Sequence, residues 1–188
     1  MRAIVIEEYG GPEVLRLTEA ESPAPGPGEA LVDVEARGVN FIDVYQRSGA
    51  YRVPLPYVPG MEAAGTVSAL GEGVTDLRVG QRVAWAMAPG GYADQAVVRA
   101  SLLVPVPDAV STEQAAALML QGMTAHYLTH AVHPVAEGET VLVHAAAGGT
   151  GLLVTQLAKA RGARVIGTVS TDEKERIARE AGADEIIR

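Results

Sequence analysis

A glycine-rich segment at residues 145–151, Ala-Ala-Ala-Gly-Gly-Thr-Gly, carries the clearest chemical signal in the sequence. It fits the spacing G-x-G-x-x-G with Ala146 in the first position, followed by Gly148 and Gly151. In that spacing the second glycine lets the backbone approach a pyrophosphate, and the third lets the following helix pack closely. The N–H groups of the helix N-terminus then face the negative charge. The segment predicts dinucleotide binding, and the alternative is a tight strand-to-helix turn without a ligand.

The residues after the next strand bear on which dinucleotide binds. An NAD site usually has an acidic residue about 20 positions after the glycines, where it contacts the ribose 2′-hydroxyl. Residues 168–170, Thr-Val-Ser, stand at that place, and Lys174 follows. A lysine can hold a 2′-phosphate as a point charge, so the pattern favours NADP(H). The alternative is that Lys174 is a surface lysine paired with Asp172 or Glu173.

The elements that must position these residues alternate between strands and helices. Their predicted order is strand 140–144, helix 152–160 with Gly162 near its end, strand 164–168, a helix capped by Thr171 or Ser170 and ending near Gly182, and strand 183–187. Strand 140–144 is almost wholly apolar, so we expect it to be covered on both faces. The order β-α-β-α-β is half of a doubly wound parallel sheet.

The chain before Ser111 instead predicts short strands separated by turns, at residues 3–7, 14–19, 29–36, 64–69, 81–86 and 92–98. Such strands suggest a small barrel or sandwich. Ser111 and Gln114 have the spacing of a capping box, which predicts a helix to about Gln121. We expect Gly122 to bend or break it, with a second helical stretch reaching about His130.

Composition excludes several classes of protein and of site. The net charge is −8 and aromatic residues are only 4% of the chain, so no nucleic-acid partner is predicted. The sequence contains no cysteine, which excludes disulfides and every zinc site built on thiolates. No apolar run approaches the roughly 20 residues of a membrane helix, so no membrane partner is predicted, and we expect a cytoplasmic protein.

Two further segments complete a family pattern. Residues 36–51 read Ala-Arg-Gly-Val-Asn-Phe-Ile-Asp-Val-Tyr-Gln-Arg-Ser-Gly-Ala-Tyr, and residues 59–67 read Pro-Gly-Met-Glu-Ala-Ala-Gly-Thr-Val. With the glycine-rich turn, they resemble the zeta-crystallin-type quinone oxidoreductases, a zinc-independent branch of the medium-chain dehydrogenase/reductase superfamily. The resemblance runs along the whole chain. It implies an α/β protein with a GroES-like, β-barrel-type catalytic domain at residues 1–122 and the first half of a Rossmann domain at residues 123–188, with NADPH in the cleft between them.

The comparison with zinc-dependent members of this superfamily bears on the reaction. Those enzymes hold the catalytic metal with a Cys and a His, and Asn40 and Met61 stand at the matching positions here. An amide and a thioether are poor zinc ligands, and Glu62 cannot hold zinc alone, so we predict no metal. Ketone reduction needs a metal or a strong donor to stabilise an alkoxide. The favoured hydride acceptors are therefore a quinone or an α,β-unsaturated carbonyl, whose product anion is delocalised.

The resemblance also implies which side chains form the site. Asn40, Tyr45 and Tyr51 are the expected catalytic residues, which position or polarise the acceptor. The implied cofactor contacts are Asn40, Phe41, Asp43, Tyr45, Thr124, Tyr127, Ala147, Gly148, Gly149, Thr150, Gly151, Ser170 and Lys174. Thr150 replaces the valine that is common in the family.

Three of these residues have structural alternatives. Asn40 could cap a short helix over residues 41–48. Asp43 could form an ion pair with Arg47 one helical turn later. Tyr51 could simply pack within its proline-rich loop.

The histidines are interpreted as structural. His126, His130 and His133 have the spacing i, i+4 and i+7, which could place three imidazoles on one helix face. Pro134 is expected to end the helix at His133, however, and no adjacent carboxylate is available to orient the rings. Interaction with the helix C-terminus is the preferred interpretation, and no metal site is predicted. His144 is expected to be a core residue, although its position at the strand end faces the cofactor side.

The predicted function is NADPH-dependent, zinc-independent hydride transfer to a quinone or an α,β-unsaturated carbonyl, with a small molecule as substrate and a homo-oligomer left open. The alternatives are an enoyl reductase acting on acyl thioesters, and a non-catalytic fragment that binds a nucleotide or only packs. Family members complete the Rossmann sheet beyond the point that corresponds to Arg188. A fragment, a shortened form and a half that pairs with another chain all stay open, and we expect an exposed sheet edge after the third strand.

Overall fold

The computed structural model describes all 188 residues, and the chain divides into two compact units, Met1–Leu120 and Gln121–Arg188. The sequence prediction placed the boundary after residue 122. The observed division falls inside a continuous helix, Thr112–His126.

The first unit consists mainly of short antiparallel strands. They are β1 (Arg2–Val5), β2 (Arg16–Glu19), β3 (Glu29–Arg37), β4 (Glu62–Leu70), β5 (Arg82–Ala86), β6 (Gln95–Arg99) and β7 (Val104–Pro105). Strands β1 and β2 pair with each other, and the others form a five-stranded sheet in the order β6-β3-β4-β5-β7. The helix α1 (Phe41–Ser48) lies between β3 and β4 in the chain, and 3-10 helices occupy Pro12–Val14 and Ala100–Leu102.

Strand β3 shows how alternating side chains place one face of the sheet toward the core. In β3, Val32 is buried and Asp33 and Glu35 are exposed, as the period of two requires. The core that the five-stranded sheet covers is centred on Trp85, which is fully buried together with Val32 and Val83. The predicted strands are confirmed, while the two-residue strand β7 was too short to carry a pattern.

The helix α2 (Thr112–His126) begins at the predicted capping box. The Ser111 backbone N–H donates to Gln114 Oε1 (3.0 Å), and the Gln114 backbone N–H donates to Ser111 Oγ (3.2 Å). The expected break at Gly122 was wrong, because α2 continues through it and then widens into a π-helical segment, Tyr127–Val132. One glycine costs a helix only about 1 kcal/mol, which the burial of neighbours such as Ala125 offsets.

The second unit has the predicted β-α-β-α-β order. Its elements are β8 (Thr140–Val143), α3 (Gly149–Ala160), β9 (Arg164–Thr168), α4 (Asp172–Glu180) and β10 (Glu185–Ile187). The three strands are parallel in the order β10-β9-β8. This is one half of a doubly wound sheet, and it confirms the expected α/β class. None of the helices in the chain is both long enough and apolar enough to cross a membrane.

The expectation that β8 is covered on both faces was wrong. Val143 is buried, whereas the side chain of Leu142 is 53% exposed. Strands β8, β9 and β10 follow one another across the sheet in chain order. Because both crossovers are right-handed, α3 and α4 lie on the same face of the sheet. Leu142 points to the opposite face, which these helices do not cover.

Candidate active site

The turn between β8 and α3 is held by backbone hydrogen bonds. Ala145 has a left-handed φ of 49°, and its carbonyl accepts from the N–H of Gly148 at 2.8 Å. The N–H of Ala146 donates to the Thr168 carbonyl at 3.0 Å, which ties the turn to the end of β9. Gly148 is the N-cap of α3, and no side chain caps this helix. The N–H groups of its first turn are therefore available to an anion.

The glycines of the turn have separable roles. A Cβ on Gly151 would lie 2.3 Å from the Ala145 carbonyl oxygen and 2.9 Å from Ala146 Cα, so the close packing of α3 on the preceding turn requires glycine. A Cβ on Gly148 would meet only the Ala145 oxygen, at 3.3 Å. The fold therefore does not demand glycine at Gly148, and the open space beside it suits the close approach of a ligand.

Two cavities flank the turn and share Ala145 and Gly148. One, of about 360 Å³, is also lined by Thr168, Ser170 and Lys174. The other, of about 330 Å³, lies beside the end of β8 and is lined by residues that include Leu142, His144, Gly149 and Thr150. Both cavities belong to the second unit, and the glycine turn stands between them.

The start of α4 brings Ser170 and Lys174 together. Thr171 is the N-cap, and its Oγ1 accepts from the backbone N–H of Lys174 at 3.2 Å. This leaves the hydroxyl of Ser170 uncommitted to the cap, and it accepts from Lys174 Nζ at 3.2 Å. Because the wall of the cavity includes both residues, the lysine charge lies at that wall.

Lys174 has no carboxylate partner. The Asp172 carboxylate pairs with Arg188 instead, and Glu173 forms no ion pair. The alternative of a lysine neutralised by Asp172 or Glu173 was therefore wrong. A cation without a carboxylate partner, on the wall of a cavity beside a glycine turn, can receive a phosphate.

A second arrangement of polar groups lies in the first unit around Asn40, which is the N-cap of α1 and only 8% exposed. Its backbone N–H donates to Asp43 Oδ2 (2.9 Å), and its Nδ2 donates to Oε1 of the fully buried Glu62 (2.8 Å). Glu62 Oε2 accepts from the backbone N–H of Leu120 at 2.6 Å. Glu62 thus fixes the Asn40 amide, and no group of three or more His, Cys, Asp or Glu is placed to hold a metal ion.

Asp43 joins this arrangement to a distant tyrosine. Its Oδ2 also accepts from the Tyr92 hydroxyl at 2.8 Å, while its Oδ1 is buried without a hydrogen-bond partner. Burial, together with the bonded Asp43 carboxylate, raises the pKa of Tyr92 well above its usual range. The alternative ion pair between Asp43 and Arg47 was wrong. The role of Tyr92 was missed because it lies 49 positions from Asp43 and no local pattern links the two.

Phe41, Tyr45 and Tyr51 form an exposed aromatic surface on the first unit. The ring centroids of Phe41 and Tyr45 are 5.9 Å apart, and those of Tyr45 and Tyr51 are 5.2 Å apart. Tyr51 is 57% exposed, so it does not pack into a core, and its backbone N–H donates to the Tyr45 carbonyl at 3.0 Å. Such rings offer π faces and two hydroxyl donors to a flat conjugated molecule.

Comparison with known proteins places this geometry in a family. Residues 26–108 match the family model of the alcohol dehydrogenase GroES-like domain, and residues 149–188 match that of zinc-binding dehydrogenase. The chain is 49% identical to a quinone oxidoreductase of Pseudomonas aeruginosa, over 99% of this chain. It is also 44% identical to a solved Escherichia coli quinone oxidoreductase complexed with NADPH, with a TM-score of 0.98 over 100% of this chain.

The chain belongs to the quinone oxidoreductase family of the medium-chain dehydrogenase/reductase superfamily. This confirms the resemblance seen in the sequence. A further relative, a 2-haloacrylate reductase of a Burkholderia species, is 44% identical over 98% of this chain. The chain spans 58% of the length of each of these three relatives.

Other residues that the quinone oxidoreductase resemblance indicated lie on the second unit. Thr124 is partly buried on α2, and Tyr127 is exposed where α2 widens into the π-helical segment. The expectation that His144 is a core residue was wrong. It is exposed after the end of β8, with Nδ1 3.3 Å from Thr168 Oγ1, because the turn carries it out of the sheet.

Proposed function

We propose that the chain carries the cofactor-binding and acceptor-binding residues of an NADPH-dependent, zinc-independent reductase of quinones or α,β-unsaturated carbonyls. The observation that carries the proposal is the glycine turn with Lys174 beside it. The Escherichia coli relative, solved with NADPH, supports the same cofactor.

The residues around the turn fit a dinucleotide. The uncapped N-terminus of α3 offers N–H donors to the pyrophosphate, and Gly148 leaves room for it. The two halves of the molecule would then extend into the two cavities on either side. Ala147, Gly149, Thr150 and Gly151 contribute backbone to the same turn.

The cavity with Ser170 and Lys174 would take the adenosine half. Strand β9 ends at Thr168 without an acidic side chain to bind a free 2′-hydroxyl. The Lys174 ammonium, already oriented by Ser170, can pair with a 2′-phosphate. This favours NADPH over NADH.

Residues of the first unit would bind the hydride acceptor. When bound, NADPH supplies the hydride. Tyr45 and Tyr51 would contact the flat acceptor with their rings and donate hydrogen bonds to its oxygen from their hydroxyls. Glu62 holds the side-chain amide of Asn40 and Asp43 holds its backbone N–H, so the Asn40 amide is fixed in one orientation. The contacts of Phe41, Asp43, Thr124 and Tyr127 with the cofactor stay predictions.

Reduction of an activated alkene is the second candidate. The relative named 2-haloacrylate reductase supports it, because a haloacrylate is an α,β-unsaturated acid. The hydroxyls of Tyr45 and Tyr51 would donate hydrogen bonds to either acceptor, since hydride addition to either one gives a delocalised anion. A cytoplasmic location, a homo-oligomer and the absence of a nucleic-acid partner stay predictions from the sequence.

Steady-state oxidation of NADPH with 1,4-benzoquinone tests the proposal. We expect a rate proportional to protein and about tenfold lower kcat in Tyr51→Phe from the lost hydrogen bond. Turnover should be lost in Gly149→Asp, which places a negative charge at the pyrophosphate and a Cβ against the Gln121 side chain. Tyr51→Phe should keep its NADPH affinity. Retained NADPH binding without any quinone or enone turnover would contradict the enzymatic proposal and favour a binding module.

A further inference from the structure

We propose that His126 and His130 form a two-imidazole site for a divalent transition metal such as Zn²⁺ on the surface of the second unit. His126 ends α2, and His130 lies in the π-helical segment that follows. Their rings are stacked, with centroids 4.1 Å apart and planes 12° apart. Neither histidine lines the two cavities beside the glycine turn.

Thr129 determines which nitrogen of His130 carries its proton. The buried hydroxyl, 2% exposed, donates to the Ala125 carbonyl at 2.8 Å. A hydroxyl has one proton, so the 2.9 Å contact between Thr129 Oγ1 and His130 Nδ1 is donated by the ring. His130 is then the Nδ1–H tautomer, and its Nε2 holds a free lone pair.

This is the arrangement that metal-ligating histidines use. A ligating imidazole usually donates its other N–H to a fixed oxygen, which sets the tautomer and the ring orientation. The sequence next to these histidines offers no carboxylate for that role. The hydroxyl of Thr129 fills it, from a position directly adjacent to the histidine.

The two rings are close enough to share a metal once one of them turns out of the stack. Two nitrogen ligands of a tetrahedral zinc, each about 2.0–2.1 Å from the metal, lie about 3.4 Å apart. The ring centroids are 4.1 Å apart, but the stacked rings hold their in-plane lone pairs side by side. The ring of His126 must therefore turn out of the stack to bring one nitrogen to a metal bound by His130 Nε2. The ring of the exposed His126 forms no hydrogen bond or ion pair, so both of its nitrogens are free to bind.

His133 is not part of the site. It caps the C-terminus of the π-helical segment, and its Nε2 lies 3.1 Å from Glu139 Oε2. The interruption of the α-helix therefore separates the three histidines into a stacked pair and a single ring. With two protein ligands, the remaining coordination positions of the metal would be held by water.

Isothermal titration of the full chain with ZnCl₂ tests this inference. We expect one Zn²⁺ per chain, with affinity at least about tenfold lower in His126→Asn and in His130→Asn, since each removes one of two ligands. The matched control His133→Asn should bind as the unchanged chain does. Thr129→Val should weaken binding about tenfold by freeing the ring, whereas Thr129→Ser should retain it.

Several outcomes would overturn the site. These are no saturable binding by the unchanged chain, unaltered affinity in both His126→Asn and His130→Asn, or loss of binding in His133→Asn. Circular dichroism without metal verifies that each variant is folded. If the buried Thr129→Val variant does not fold, the two histidine variants and Thr129→Ser still decide the question.

Discussion

At the scale of single residues, the hydrogen bond between Tyr92 and Asp43 joins α1 to the segment before β6. Asp43 already has one unpartnered oxygen, so it depends on the Tyr92 hydroxyl and the Asn40 N–H. Tyr92→Phe removes one of these two donors to a buried carboxylate. We expect the free energy of unfolding to fall by about 1–3 kcal/mol, measured by urea denaturation at neutral pH.

The contribution of the hydrogen bond between Tyr92 and Asp43 to stability depends on pH. The pKa of Tyr92 is raised in the folded chain, so above about pH 10 the unfolded chain releases a proton that the folded chain keeps. The stabilisation is therefore complete below that pH and is lost as the pH rises further. The decline of stability between about pH 9 and 11 should be shallower in Tyr92→Phe. Equal slopes for both proteins would contradict this.

Residue types indicated the candidate site, but the hydrogen-bond partners of these residues could not be inferred from the sequence. The turn at Gly148 and Gly151, the capping box at Ser111 and the N-cap Thr171 are local patterns, and the structure has them as predicted. The bonds of Glu62 to Asn40 and to the Leu120 backbone cross 22 and 58 positions of the chain. Such contacts depend on the packing of whole elements, so they cannot be inferred from the spacing of residues along the chain.

At the scale of elements, the packing of α3 against the preceding turn separates two glycines that share one motif. Gly151→Ala would force a Cβ against the backbone at Ala145 and Ala146, which we expect to cost about 1–3 kcal/mol. Gly148→Ala should change stability by less than about 0.5 kcal/mol but should weaken NADPH binding by obstructing the pyrophosphate.

Thermal unfolding and NADPH fluorescence titration of both variants measure these effects. The stability should fall in Gly151→Ala, and Gly148→Ala is its control. The NADPH affinity should fall in Gly148→Ala, and Gly151→Ala is its control. Equal losses of stability in the two variants would contradict the assignment of separate roles.

Helices and strands were predictable where one periodic pattern of side chains extended over their whole length. The sequence predicted α1 over 41–48 and β9 over 164–168, and the structure has both with the same bounds. It did not predict the π-helical segment Tyr127–Val132, because that widening depends on local packing and not on a repeat of side chains. The exposure of Leu142 was missed for a topological reason, since coverage of a strand depends on which face the helices occupy.

At the scale of the whole molecule, each unit has its own apolar core. The residues around Trp85 form one in the first unit, and those around Val165 form another in the second unit. The glycine turn, both cavities beside it and Lys174 all belong to the second unit. The proposed recognition of the 2′-phosphate therefore rests on residues present in this chain, although the chain spans 58% of the length of its relatives.

The most direct test is a fluorescence titration of the purified chain with NADPH and with NADH. We predict NADPH binding at least about tenfold tighter, equivalent to 1.4 kcal/mol. Lys174→Ala should remove most of that difference and leave NADH binding unchanged, while Arg176→Ala, a cation on the same helix outside the cavity, should behave as the unchanged chain does. Equal affinity for the two nucleotides, no binding of either, or an equal loss for both in Lys174→Ala would contradict the account.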